Sequence, residues 1–157
     1  LGYRIGWAVT PAFHADISRA KFYSSVACAT LQQHVLARYY ASGGYDRYLR
    51  GVRASLASNS QSFIEAIARY FPEGTRVTRP AGGLVLWIEL PRNVDGAELF
   101  TTALASRIGI APGVVFSAKA EYRNYIRVSC GLPWSGTIER ALEKLGRLVA
   151  TMARAGQ

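Results

Sequence analysis

An arginine whose neighbours alternate between apolar and polar is carried on a stiff support, and Asn124-Tyr125-Ile126-Arg127-Val128-Ser129-Cys130 has that pattern. Ile126 and Val128 fall on one side of a strand, Arg127 and Ser129 on the other, so the guanidinium projects from a platform instead of a loose loop. Ile110-Ala111-Pro112-Gly113-Val114-Val115-Phe116 supplies a Pro-Gly turn just ahead of it. A planar fork of donors matches a carboxylate bidentately, which makes Arg127 a candidate carboxylate reader. The alternative at this point is a surface arginine on a half-exposed strand.

Other chemistry is scarce. His14 and His34 stand apart with no companion cysteine or clustered carboxylate, so no metal site is expected. Cys28 and Cys130 form neither a CxxC pair nor a disulfide framework, and reduced, buried thiols are expected. No GxSxG elbow anchors a serine nucleophile, and Gly82-Gly83 precedes a strand-like run instead of opening a helix, so it is not a phosphate loop. Those two glycines serve either a close backbone approach or a bend. Lys21, Lys119 and Lys144 are the only lysines, and none has an apolar setting that would activate an amine.

The elements that must position these residues follow from periodicity. Tyr3–Thr10 reads as a short buried strand, with Ile5, Trp7 and Val9 on one side and Pro11 ending it. Asp16–Ser42 has apolar residues three and four apart, giving one or two helices capped by Asp16 or Ser18 and ended by Gly43-Gly44. Tyr45–Phe71 is a long helix with a seam at Leu49, Val52, Leu56, Asn59, Phe63, Ala66 and Tyr70, closed by Pro72 and Gly74. Arg76–Leu90 changes to a β-rich run. Asp95–Ser106 is a short helix with Leu99, Phe100 and Leu104 inward, Ile108–Phe116 a strand broken at Pro112-Gly113, and Tyr122–Cys130 its neighbour. Ser135 or Thr137 caps a last helix whose inward face is Ile138, Leu142, Leu145, Val149 and Met152.

This order describes an α/β protein of modest size, and 157 residues suffice for one real core. Half of the residues are apolar, without low-complexity tracts, which argues against a disordered or fibrous class. No run nears the roughly 18 uninterrupted apolar residues of a membrane span, so a soluble, cytoplasmic protein is expected, with no membrane partner. The formal charge of +9 suggests nucleic acid, but the arginines are scattered. Only Arg47, Arg50 and Arg53 gather on one side of a helix, where a solvated face competes with an acidic partner.

Several motifs, in order, carry a resemblance. Leu1-Gly2-Tyr3-Arg4-Ile5-Gly6-Trp7 resembles the strand after the cofactor lysine in fold-type I aminotransferases, where an arginine in G-x-R-x-G holds pyridoxal phosphate. Gly43-Gly44-Tyr45-Asp46-Arg47-Tyr48-Leu49-Arg50 resembles the start of the interdomain helix, and Arg79-Pro80-Ala81-Gly82-Gly83-Leu84-Val85-Leu86-Trp87 the glycine-rich entry to the small-domain sheet. Ala111-Pro112-Gly113 and Asn124-Tyr125-Ile126-Arg127 resemble the closing segments, whose arginine binds the substrate α-carboxylate. The wording is most similar to the aminotransferase-like half of MocR-type regulators of the GntR group.

The resemblance implies a division into residues 1–44 as a remnant of the large cofactor-binding domain, 45–71 as the interdomain helix and 72–157 as the small C-terminal domain. That domain is a short, mostly antiparallel sheet covered by helices, preceded by one strand of the missing large domain. It also implies Arg4 as cofactor-phosphate ligand and Arg127 as reader of an amino-acid-like molecule. The family's Schiff-base lysine would fall ahead of Leu1, so no catalytic residue is expected in this chain, and pyridoxal phosphate belongs to a longer parent. The implied function is a cofactor- and effector-sensing domain of a transcription regulator, reaching DNA through an N-terminal winged helix, with a homo-oligomer expected. The alternatives are the same part of a genuine aminotransferase and a basic nucleic-acid-binding module.

Overall fold

The computed structural model describes residues 2–119 and 121–155. They form two compact units, divided between Arg50 and Gly51.

In the first unit a single 3-10 turn at Pro11–Phe13 leads into helix α1 (His14–Ser25), followed by α2 (Thr30–Ala41) and the opening turns of α3 (Gly44–Tyr70). Two helices therefore occupy the stretch read as one or two. The second of them ends at Gly43, whose φ of 69° suits glycine at a helix C-terminus. Neither Asp16 nor Ser18 caps α1: the helix starts two residues earlier behind Phe13, leaving Asp16 in the first turn.

The expected strand at Tyr3–Thr10 is absent. A strand needs a neighbour for its backbone groups, and no other described segment pairs with it. Its backbone also turns the wrong way, with φ of 57° at Arg4, where a strand needs φ near −120°. Two of the three side chains expected to be buried are instead open, Trp7 at 81% and Val9 at 83% exposure, and Ile5 is only half-buried. No residue from 2 to 50 is buried, although Phe22, Tyr23 and Leu31 are all apolar enough to seek cover.

The second unit has a real core. Strands β1 (Arg76–Val77), β2 (Val85–Glu89), β3 (Ala111–Pro112) and β4 (Tyr125–Ser129) make an antiparallel sheet in the order β1-β2-β4-β3. The central pairing sets Leu86 against Val128 and Ile88 against Ile126 on one face, Trp87 against Arg127 on the other. Against the apolar face pack the C-terminal half of α3 through Phe63, Ile64 and Ile67, then α4 (Gly96–Ala105) through Leu99 and Ala103, and α5 (Gly136–Ala155) through Leu142, Leu145 and Val149. Within the second unit, the described helices all pack on this one face of the sheet.

The seam of α3 holds, but its width changes along the helix. Val52 and Leu56 are half-buried, whereas Asn59, Phe63 and Ala66 are buried, joined by Ile64 and Ile67 where the helix crosses the sheet. Asn59 makes a specific contact: its Oδ1 accepts from the Trp134 backbone N–H at 3.2 Å, tying α3 to the approach of α5. On α4 the inward pair is Leu99 and Ala103, one turn apart, while Leu104 points to solvent at 54% exposure, against expectation. The strand expected over Ile108–Phe116 keeps only two residues. Pro112 has no amide to continue a ladder, and the chain winds into a 3-10 turn over Gly113–Phe116. Ser135, one of the two expected caps, accepts from the Ile138 N–H at 3.4 Å. Both cysteines are free, Cys130 buried and Cys28 half-buried; burial is the largest influence on the Cys130 thiol and pushes its pKa up.

Asp95 caps α4. Its Oδ1 accepts from the N–H groups of Ala97 at 2.8 Å and Glu98 at 3.2 Å, and its Oδ2 meets Arg123 at 3.2 Å. Burial is the largest single influence and acts upward, but those donors and the Arg123 charge together hold the carboxyl below its usual value of 3.8. A carboxyl depressed on folding adds stability above the unfolded-state pKa and loses it as pH falls through the folded-state pKa. Asp95→Ala is accordingly expected to cost about 1 kcal/mol at pH 7. The gap between variant and parent in urea midpoints narrows as the pH is taken below 3.8; a gap independent of pH would show that the ionised cap contributes nothing.

Candidate functional site

Strand alternation builds the site. Because Leu86, Ile88, Ile126 and Val128 face the helices, Val85, Trp87 and Glu89 of β2 and Tyr125, Arg127 and Ser129 of β4 must face away from them. Arg127 therefore stands on the open side of the sheet, exposed, between Trp87 on β2 and Ala111 on β3. Its guanidinium carbon lies 4.4 Å from the centre of the Phe116 ring, a cation–π contact. Among the described residues no carboxylate pairs with Arg127; the four ion pairs belong to Arg69, Arg76, Arg123 and Arg147. A fork of donors is thus exposed, with no carboxylate among the described residues to accept from it.

Beside it, aromatic rings cluster around Trp87. Trp87 meets Phe116 edge-on with centroids 5.5 Å apart, Tyr122 edge-on at 5.5 Å, and Tyr125 in a stacked arrangement at 5.6 Å. Next along the same face, Glu89 pairs with Arg76 at 3.5 Å. Burial first, and the nearby Glu89 carboxylate second, push the Tyr125 phenol up, so it remains protonated and able to donate. Chemically this is a cationic, aromatic-walled surface suited to an organic anion.

The turn behind Phe116 is built tightly. A Cβ at Gly113 would strike the Tyr122 carbonyl oxygen and come within 2.8 Å of the Tyr125 Cβ, so only glycine lets the 3-10 turn approach β4. Gly82-Gly83 does the other job left open by the sequence. Nothing lies within 4 Å of a Cβ at either position, and Gly83 takes φ of 93°, so the pair makes a bend into β2.

Arg4 and Arg127 belong to different units. Arg4 is exposed and, among the described residues, has no ion-pair partner. Arg47, Arg50 and Arg53 are likewise exposed on α3. A cavity of about 510 Å³ in the second unit lies between α3 and the 79–83 loop, lined by Arg53, Leu56, Ser60, Ile64 and Arg79 among others, and it does not include Arg127. No group of three or more potential metal ligands occurs among the described residues, and no helix there is long and apolar enough to cross a membrane. Among the described residues no lysine is placed to form the Schiff base of pyridoxal phosphate. Its Schiff base needs an amine held away from water, whereas Lys21, Lys119 and Lys144 are all exposed.

Sequence reasoning singled out Arg127 but missed the rings beside it. Antiparallel pairing of β2 and β4 would have brought Trp87 and Tyr125 to the Arg127 face, since all three share one parity. Phe116 carried no such signal, because the 3-10 turn and not a strand delivers it.

Comparison with known proteins bears on the whole arrangement. The model of the family "Aminotransferase class I and II" matches residues 1–145. An uncharacterized HTH-type transcriptional regulator of Escherichia coli, YjiR, is 34% identical over 148 residues, 94% of this chain and 32% of the relative. Aromatic-amino-acid aminotransferase 1 of Thermococcus litoralis is 27% identical over 150 residues, 94% of this chain and 36% of the enzyme. The crystal structure of LysN, an α-aminoadipate aminotransferase of Thermus thermophilus complexed with N-(5'-phosphopyridoxyl)-L-leucine, superposes with a TM-score of 0.81 at 26% identity, covering 94% of this chain and 38% of the other. The chain spans about a third of the length of the curated relatives it matches. Its fold is that of the fold-type I aminotransferases, and the chain belongs to the aminotransferase class I and II family.

Proposed function

We propose that this chain is the C-terminal, aminotransferase-like sensing domain of a MocR-type transcription regulator. In the full-length protein Arg127 binds the carboxylate of an amino-acid-like effector, and Arg4 contributes to holding the phosphate of pyridoxal phosphate. The observation that carries the reading is the outward-facing guanidinium of Arg127, fixed on a central strand and against a ring, with no carboxylate of the described chain to satisfy it. DNA would be reached through a separate winged-helix domain, in keeping with the likeness to an HTH-type regulator. The uncovered apolar side chains of residues 2–50 support burial against further protein, the rest of a longer chain and a second copy of it. Pyridoxal phosphate, when bound, supplies the electron sink; the parts assigned to this chain are carboxylate binding and orientation by Arg127 and a phosphate contact by Arg4.

The second reading, a genuine aminotransferase, draws on the likeness to the archaeal enzyme. Finding a DNA-binding segment upstream in the gene, with no transamination by the purified protein, favours the regulator.

The carboxylate role is tested in the intact protein by titrating the twenty common L-amino acids and, for the tightest, its decarboxylated amine. Arg127→Lys keeps the charge and loses the fork. It is expected to weaken the amino acid about tenfold, the equivalent of about 1.4 kcal/mol, and to leave the amine unaffected. Absence of binding by any amino acid, or equal affinities for parent and variant, overturns the reading.

A further inference from the structure

Exposed arginines on strands sweep through many rotamers, and ordering one for a bidentate contact costs entropy at the moment of binding. Arg127 is spared part of that sweep. Its register neighbours are unequal, with the broad Trp87 on one side and the small Ala111 on the other. The Phe116 ring lies against the guanidinium, its centre 4.4 Å from the guanidinium carbon. Phe116 is itself held: Trp87 meets it edge-on at 5.5 Å, and the turn that carries it is pinned to β4 by the close approach at Gly113. We propose that Phe116 is a positioning residue for Arg127, a fixed ring face that pre-orients the guanidinium toward an incoming carboxylate.

This inference rests on the carboxylate-reading role of Arg127 and adds a residue that neither charge nor hydrogen bonding would identify. Phe116 is 43% exposed and outside the core, so its replacement leaves the fold intact. What it contributes is a π face, and that separates two substitutions: Phe116→Tyr keeps the face, and Phe116→Leu keeps the apolar character but removes it.

The experiment uses the intact protein, with the tightest-binding L-amino acid and its decarboxylated amine as the paired probes, alongside Arg127→Lys. Phe116→Leu is expected to weaken the amino acid about fivefold, within the range a cation–π contact spans, while the amine binds as before and Phe116→Tyr matches the parent. Equal loss for amino acid and amine would make Phe116 an apolar contact of the ligand and overturn the proposal, as would a Phe116→Leu protein indistinguishable from the parent. If Arg127→Lys also leaves the amino acid untouched, the carboxylate reading itself has failed; if only the phenylalanine variants are silent, that reading stands and the positioning role falls.

Discussion

Gly146→Val is expected to destabilise the 51–157 unit by about 3 kcal/mol, at the upper end of what overpacking costs. Gly146 is buried in α5 at the point where that helix passes the end of α3. A Cβ there would strike the Tyr70 carbonyl oxygen, lie 2.8 Å from its carbon and come within 3.3 Å of the Phe71 ring. The obstacle is mostly backbone, fixed by the Phe71 N–H donating to the Ile67 carbonyl at 3.0 Å, so it cannot turn aside as a side-chain tip would. Relief would require α5 to lift from Leu142, Leu145 and Val149, which fill the core. Domain stabilities run to about 5–15 kcal/mol, so a loss of that size consumes a large share. The check is the urea midpoint, followed by hydrogen exchange at β2 and β4. Gly51→Ala provides the contrast: nothing lies within 4 Å of a Cβ at that helical glycine, and the substitution should stabilise by about 0.5–1 kcal/mol. A Gly146→Val protein with the parental midpoint would show that α5 and Tyr70 do not approach so closely.

Ile126→Ala is expected to cost about 3–4 kcal/mol, and Ile126→Val about 1 kcal/mol. Ile126 is wholly inaccessible, pairs with Ile88 across the central ladder and with Pro112 on the other side, and its Cγ2 would lie 3.4 Å from a Cβ at Gly96. Removing it leaves a void bounded by two strands and the start of α4, and strands joined by a continuous ladder close such a void poorly. Because Ile126 is the residue before Arg127, the same change loosens the support of the guanidinium, so amino-acid affinity should fall along with stability. Urea midpoints at unchanged slope measure the first effect. A loss below 1 kcal/mol would mean the site can collapse, and that β4 is not the rigid platform the fold implies.

Much of the second unit was legible in the sequence because its signals are local and agree with one another. The stretch Leu84–Leu90 reads as a strand from composition alone, and the inward face of α5 follows from spacing in threes and fours. Arg127 could be placed on a strand for the same reason. What escaped depended on partners distant in sequence. Ile5, Trp7 and Val9 alternate as a paired strand would, and alternation cannot reveal whether a neighbour is present to accept the hydrogen bonds. Leu104 reads as inward by hydrophobicity, but the helix presents Leu99 and Ala103, and the smaller residue wins where α4 lies close to the core. Phe116 reads as the end of a strand; Pro112 stops the ladder and turns it into a cover for Arg127. The place of Arg4 in a cofactor site rests on resemblance, since a lone arginine near a chain end carries no local signature.

A sheet whose own unit's helices all lie on one face divides its residues into two sets by parity. Positions 86, 88, 126 and 128 answer to the interior, whereas 85, 87, 125, 127 and 129 answer to whatever arrives from outside. A change at an exposed outward position such as 127 or 129 therefore disturbs the core less than one at an inward position. If Arg127 reads a carboxylate as proposed, one framework of this kind could be retuned from one chemical cue to another with the interior set left unchanged.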